Sequence, residues 1–142
     1  MSSATVYSAV RAWFDANWSA TTVQWDNETF TKPAPTLHPT DPAAFLVVEI
    51  EGGSYRQASI GSGSPSSERW VERGAVLIYC LVQSGASSLV ARQHAETLAT
   101  SFRGLILSGD IRFQAMNIGD GGPGDEDGNW WQILLRAEWM RG

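Results

Sequence analysis

The sequence predicts an α+β fold: a mainly antiparallel (mixed) β-sheet with two α-helices packed on one face. Three observations lead there. Only two stretches, one at the N-terminus and one after Ser87, space their apolar residues three and four apart. The other apolar runs are short and alternate as strands do. Finally, the strands come in neighbouring groups between the helices, not in strict alternation with them, which argues against a parallel α/β sheet. With 142 residues, the chain has the usual size of one domain and can bury about two-thirds of its unfolded surface. No internal repeat or domain boundary is visible, so 1–142 reads as a single domain.

Ser2 or Ser3 can cap a first helix running to about Trp18, with Val6, Val10, Trp13, Phe14 and Trp18 forming its apolar stripe. Arg11 and Asp15 fall one turn apart and can pair on its outside. Thr22-Val23-Gln24-Trp25 reads as a short strand ending at Asp26-Asn27. Four of the six prolines (Pro33, Pro35, Pro39 and Pro42) then crowd one stretch. It can be neither helix nor central strand, so an extended arm is expected over about 31–44. Connections inside compact domains are typically about 4–6 residues, and longer ordered ones usually touch something.

Phe45 to Glu51 reads as a strand that turns at Gly52-Gly53 into a hairpin partner, Tyr55 to Ile60. Gly61 to Ser67 reads as a flexible loop. Trp70 to Gln83 is the strongest strand, with Val76, Ile78, Cys80 and Val82 on one face and Leu77, Tyr79 and Leu81 on the other. A strand apolar on both faces belongs mid-sheet, covered on both sides or covered by helices on one side and a partner on the other. Ser87 or Ser88 starts the second helix, whose buried stripe is Ala91, Ala95, Leu98, Phe102 and Leu105. Ile111 to Ile118 is a strand and 119–128 is an acidic, Gly-rich loop. In the last strand Trp131, Ile133, Leu135, Ala137 and Trp139 face one way, opposite Gln132, Arg136 and Glu138.

Composition excludes several functions. Net charge is −5 and the arginines are scattered singly, so no stripe exists to neutralise a row of phosphates. The longest apolar run, Ala75 to Val82, is far short of the roughly 20 residues of a membrane helix. Met1 to Thr5 lacks the basic and apolar regions of a secretory signal. A soluble protein without membrane contact is expected. The single Cys80 rules out an internal disulfide framework and a cysteine zinc cage.

Catalysis finds no foothold. Cys80 with His38 or His94 offers a thiol–imidazole pair on paper. Cys80 nevertheless lies mid-strand between apolar neighbours, where a buried structural thiol is the better reading. His94 reads as a surface or interface residue and His38 as a loop residue. Asp120, Asp125, Glu126 and Asp127 form the densest acidic cluster, of a kind that suits calcium. The spacing fails both the EF-hand and the Gly-rich repeat loops, so a solvated tip and no metal are expected. Gly61-Ser62-Gly63-Ser64 lacks the lysine of a phosphate loop and the pattern of a hydrolase elbow. No cofactor is expected.

Charged residues make up 18% of the chain, with seven Trp, nine Arg and one Lys. Occluded protein–protein surfaces favour Trp and Arg and exclude Lys. A GC-rich genome would give the same preference for Arg, but it does not account for the Trp count.

Val23-Gln24-Trp25-Asp26-Asn27-Glu28-Thr29-Phe30-Thr31-Lys32-Pro33, after an amphipathic helix and before a strand of the Phe45–Glu51 kind, resembles the tail terminator and tail-completion proteins of long-tailed bacteriophages. That family is typified by phage lambda's minor tail protein U. Arg73-Gly74-Ala75-Val76-Leu77-Ile78-Tyr79 resembles the family's central strand. Gly85 with the helix from Ser87 to Phe102 resembles its second helix, and Gly128-Asn129-Trp130-Trp131 its closing strand. The likeness spans nearly the whole chain in order; the proline arm and the acidic loop depart from it.

The resemblance implies a virion protein at the head-proximal end of the tail, assembled in the host cytoplasm. It would form a homo-oligomeric ring, usually a hexamer, that contacts the tail tube protein and a head-side connector or stopper. DNA would pass through the lumen without specific binding. On this view the arm and the acidic loop reach neighbours through Trp25, Asn27, Phe30, Pro33, Pro35, His38, Asp120, Asp125 and Asp127. Asn27 would pin the base of the arm by backbone hydrogen bonding and Phe30 by apolar burial. Equally open is that Trp25 and Phe30 merely cover the core. Two other functions compete: an adjacent neck or head-completion ring protein, and a small soluble ligand-binding domain or enzyme using the Gly/Ser loop and the acidic tip.

Overall fold

The computed structural model describes residues 3–34, 41–125 and 128–142. The elements in order are α1 (Ala4–Asn17), β1 (Thr22–Trp25), β2 (Ala44–Gln57), a short 3-10 turn at Pro65–Ser67, β3 (Trp70–Gln83), α2 (Leu89–Phe102), β4 (Ile106–Leu107), β5 (Ile111–Ile118), β6 (Gly122–Pro123) and β7 (Trp130–Arg141). Among the described residues, seven strands form one sheet in the order β1-β2-β3-β7-β5-β4, with β6 also on β7. β1 runs parallel to β2 and every other pair is antiparallel, so the sheet is mixed and mainly antiparallel.

Both helices lie on one face, as the two apolar stripes require. Val6, Ala9, Val10 and Phe14 of α1 and Ala91, Ala95, Leu98 and Phe102 of α2 share a core with Leu46, Val48, Val76, Ile78, Cys80, Val82, Ile133, Leu135, Ala137 and Trp139. The small Ala91 and Ala95 let α2 approach the sheet closely. Gly74 makes room for Trp139, whose ring would lie 2.6 Å from a β-carbon there. Leu105, expected on the helix stripe, falls beyond the helix end but still packs against the core.

Ser3 caps α1 by accepting from the Val6 amide at 3.4 Å. The Ser3 amide and hydroxyl both donate to Glu72, at 3.3 and 3.0 Å, and Arg141 Nη1 donates to the same carboxylate at 3.1 Å. Glu72 is 1% exposed. Its charge is thus held at a helix N-terminus, where the unpaired amides and the helix dipole favour an anion.

Two expectations are corrected. Gly52-Gly53 does not turn the chain. β2 runs straight through to Gln57 with a bulge between Gly52 and Tyr55, and its antiparallel partner is β3. An added residue in one strand bends the ladder without reversing it. The Gly/Ser stretch is not a loose loop either. Glu68 accepts from the Ser62 amide at 2.6 Å, the Ser62 hydroxyl at 2.8 Å and the Ser59 hydroxyl at 2.8 Å. These bonds, led by the Ser62 amide, hold the Glu68 carboxyl below its usual range.

Candidate assembly surface

The face of the sheet away from the helices is only half covered. Successive strands set its side chains in cross-strand rows. Gln24, Val47, Tyr79 and Leu134 form one, and Glu49, Leu77, Arg136 and Asn117 the next. Val47, Leu77, Tyr79 and Leu134 remain half-buried. Arg136 donates to Glu138 at 2.6 Å and to Glu51 at 3.1 Å, reaching across β3 where the side chain is only Ala75. Burial, and then the charges of Glu49 and Glu51, push the Tyr79 phenol up. An apolar strip thus lies beside a Glu–Arg–Glu cluster on the open face.

At one end this face carries a satellite core of Phe45, Leu81 and Trp130, with Phe30 packed on it. Phe30 lies 5.3 Å from Phe45, and Phe45 meets Trp130 edge-on at 4.8 Å. Beside them, Lys32 Nζ reaches Asp125 at 3.9 Å. Asp125 accepts from the Asn129 and Trp130 amides at 3.0 and 3.4 Å. The base of the arm and the acidic loop, nearly a hundred positions apart in sequence, therefore converge on the same end of the open face. A shallow cleft of about 300 Å³ lies between them and the apolar strip, lined by Gln24, Phe45, Val47, Tyr79, Leu81 and Gln132 among others.

The remaining interface candidates are placed differently. Trp25 is 5% exposed, set edge-on against Tyr7 and Phe14 under the Arg11 guanidinium at 4.7 Å. Of the two places left open for it, core and interface, this burial puts it in the subunit's own core. Arg11 spends its strongest contact on Glu28 at 2.7 Å, and that bond raises its pKa; Asp15 is distant at 3.9 Å. Asn27 holds the turn after β1 with φ 54°, a left-handed conformation that Asn tolerates. It thus shapes the base of the arm through its backbone. Pro33 is half-buried on the α2 side, lining a hollow with Val90 and His94. Pro42 is buried and the neighbouring Ala43 carbonyl accepts from Gln83. Both described ends of the arm are therefore fastened to the subunit's own fold. Asp120 is exposed. Pro35, His38, Pro39, Glu126 and Asp127 lie outside the described residues.

The acidic loop is not a free tip. β6 pairs with β7 through Gly122 and Pro123, and the Gly124 amide donates to the Trp130 carbonyl at 2.8 Å. A β-carbon at Gly121 would run into the Trp131 ring, so that glycine serves packing. Among the described residues no cluster of three potential metal ligands occurs.

Other chemistry-bearing groups are quiet. Cys80 is fully buried, and burial pushes its thiol up to about 12. His94 packs on Trp18 at 5.3 Å, and burial lowers its pKa. No described helix is long and apolar enough to cross a membrane.

Sequence reasoning found the second apolar face of β3 but missed Val47 and Leu134, which complete the strip. It also missed the Glu51–Arg136 bridge. Parity along β2 and β7 was the available signal; the register that joins them was not.

No protein-family model matches the chain, and no curated protein matches it. A solved structure whose name describes no function overlays 98% of this chain and 92% of its own with a TM-score of 0.64, at 20% identity. At that identity the likeness concerns the fold alone.

Proposed function

We propose that this chain is a non-catalytic structural subunit that assembles into a ring at the head-proximal end of a bacteriophage tail tube, stops tube polymerisation and joins the tube to the head connector. The observation that carries this reading is the half-covered sheet: helices bury one face, while the other presents the strip Val47, Leu77, Tyr79 and Leu134 beside Arg136. A subunit in a ring needs complementary, unlike surfaces for its neighbours, and such surfaces are apolar at the centre with Arg and aromatic anchors. The ordered likeness of the sequence to tail terminator proteins supplies the identity of the assembly. Its partners are then sister copies, the tail tube protein and the connector, in the virion. The net acidic chain suits a lumen along which DNA slides without sticking.

Electron microscopy of the purified protein with and without tail tubes tests this. Rings capping tube ends are expected; a permanently monomeric protein that ignores tubes overturns it. Deleting the gene separates a terminator from a neighbouring neck protein. Loss of a terminator gives tails of uncontrolled length, whereas loss of a neck protein gives normal tails and unjoined heads.

A further inference from the structure

We infer that copies of this chain join head to tail by pairing the outer edge of β2 in one copy with the outer edge of β5 in the next. The inference rests on the ring reading above and names the surface that builds the ring. β1 covers β2 only over Phe45–Val48, so among the described residues the outer edge of β2 is unpaired from Glu49 onward. At the opposite side of the sheet β4 covers β5 only at Ile111 and Arg112, leaving Phe113 to Ile118 unpaired. An open edge presents a row of free amides and carbonyls that another strand can complete.

Strand polarity decides which edges meet. β2, β3, β7 and β5 are successively antiparallel, so β2 and β5 run in opposite directions. A rotation axis lying along the strands keeps those directions and sets β5 of one copy antiparallel to β2 of the next. Each copy then donates one edge and accepts the other, the heterologous arrangement that closes into a ring. Pairing β2 with β2, or β5 with β5, needs a two-fold axis through the junction and joins only two copies there.

The side chains agree. On the open face β2 brings Glu49 and Glu51 to its edge, and the unpaired part of β5 brings Asn117, whose amide can donate to either carboxylate. Among the described residues, three of the five exposed large apolar side chains lie at these edges: Tyr55 on β2, Ile106 on β4 and Ile118 on β5. The bulges at Gly52/Tyr55 and Phe113/Met116 confine regular pairing to Glu49–Gly52 against Met116–Ile118. They also add twist, which curls the sheet towards closure.

Cysteine cross-linking tests the junction, because the native Cys80 is fully buried. The variant Glu49→Cys with Asn117→Cys is treated with a short bis-maleimide, both free at high concentration and mixed with tail tubes. A ladder of covalent species extending past dimer is expected. Each single variant alone should stay uncross-linked. Dimers from a single variant, or no ladder from the double variant in either condition, overturn the inference. Ile118→Lys is expected to keep a native circular dichroism spectrum and weaken association by about tenfold or more in sedimentation, since an edge lysine blocks strand addition. Unchanged association also overturns it. Rings on tube ends without the cross-link would sink the edge pairing alone; a ladder from a protein that never caps tubes would sink the terminator reading alone.

Discussion

The two faces of the sheet use the same strands for different ends. On the helix side, Val76, Ile78, Cys80 and Val82 of β3 are completely buried by α1 and α2. On the other side, Leu77 and Tyr79 of that strand stay half-exposed beside a Glu–Arg–Glu bridge. The first face holds the monomer together. The second contributes less to the monomer's stability than its apolar content would suggest, because its side chains stay half-exposed; on the proposed reading a partner completes their burial. A strand with apolar residues on both faces here lines one closed core and one half-open face.

The contrast is tested most severely by truncation. Trp139→Ala or Phe14→Ala, each nearly fully buried on the helix side, should cost about 3–5 kcal/mol in denaturant unfolding. Losses nearer 1 kcal/mol would mean that the two faces are energetically alike. Gly121→Ala drives a methyl into the Trp131 ring and should cost about 1–3 kcal/mol, read as a lowered Tm. Asp125→Ala removes the acceptor of two amides and the Lys32 contact, for about 1 kcal/mol. Leu134→Ser on the open face should cost the monomer about 1 kcal/mol or less yet abolish ring formation on tubes. Equal loss of stability and assembly would erase the distinction between the faces.

The smallest effect concerns pH. Burial lowers the His94 pKa below its ordinary 6.5, so the unfolded chain binds the proton more readily than the folded one. Stability should therefore fall as pH drops through 6.5 towards the folded-state pKa, and His94→Gln should flatten that part of the Tm profile. An unchanged slope would show that His94 is not the group responsible.

Much of the fold was legible because local chemistry dictated it. The stripes of α1 and α2, the two faces of β3 and the alternation of β7 each follow from the spacing of apolar residues within one element. The misread turn at Gly52-Gly53 shows the limit of such signals: two glycines license a reversal and a bulge alike, and only the long antiparallel run against β3 selects the bulge. Trp25 shows the same limit. A tryptophan at a strand end serves a core or an interface equally well, and the packing of Tyr7, Phe14 and Arg11 around it decided for the core.

From its amino acids alone, this chain had an α+β class, two amphipathic helices and a buried thiol, since each depends on residues close together in the chain. The tertiary structure alone decided that Lys32 meets Asp125, that Arg136 meets Glu51, and that the base of the arm and the acidic loop share one end of the open face. Those contacts depend on register and strand order, which bring together residues tens of positions apart. Periodicity reports which way a side chain points, but it does not report what lies opposite.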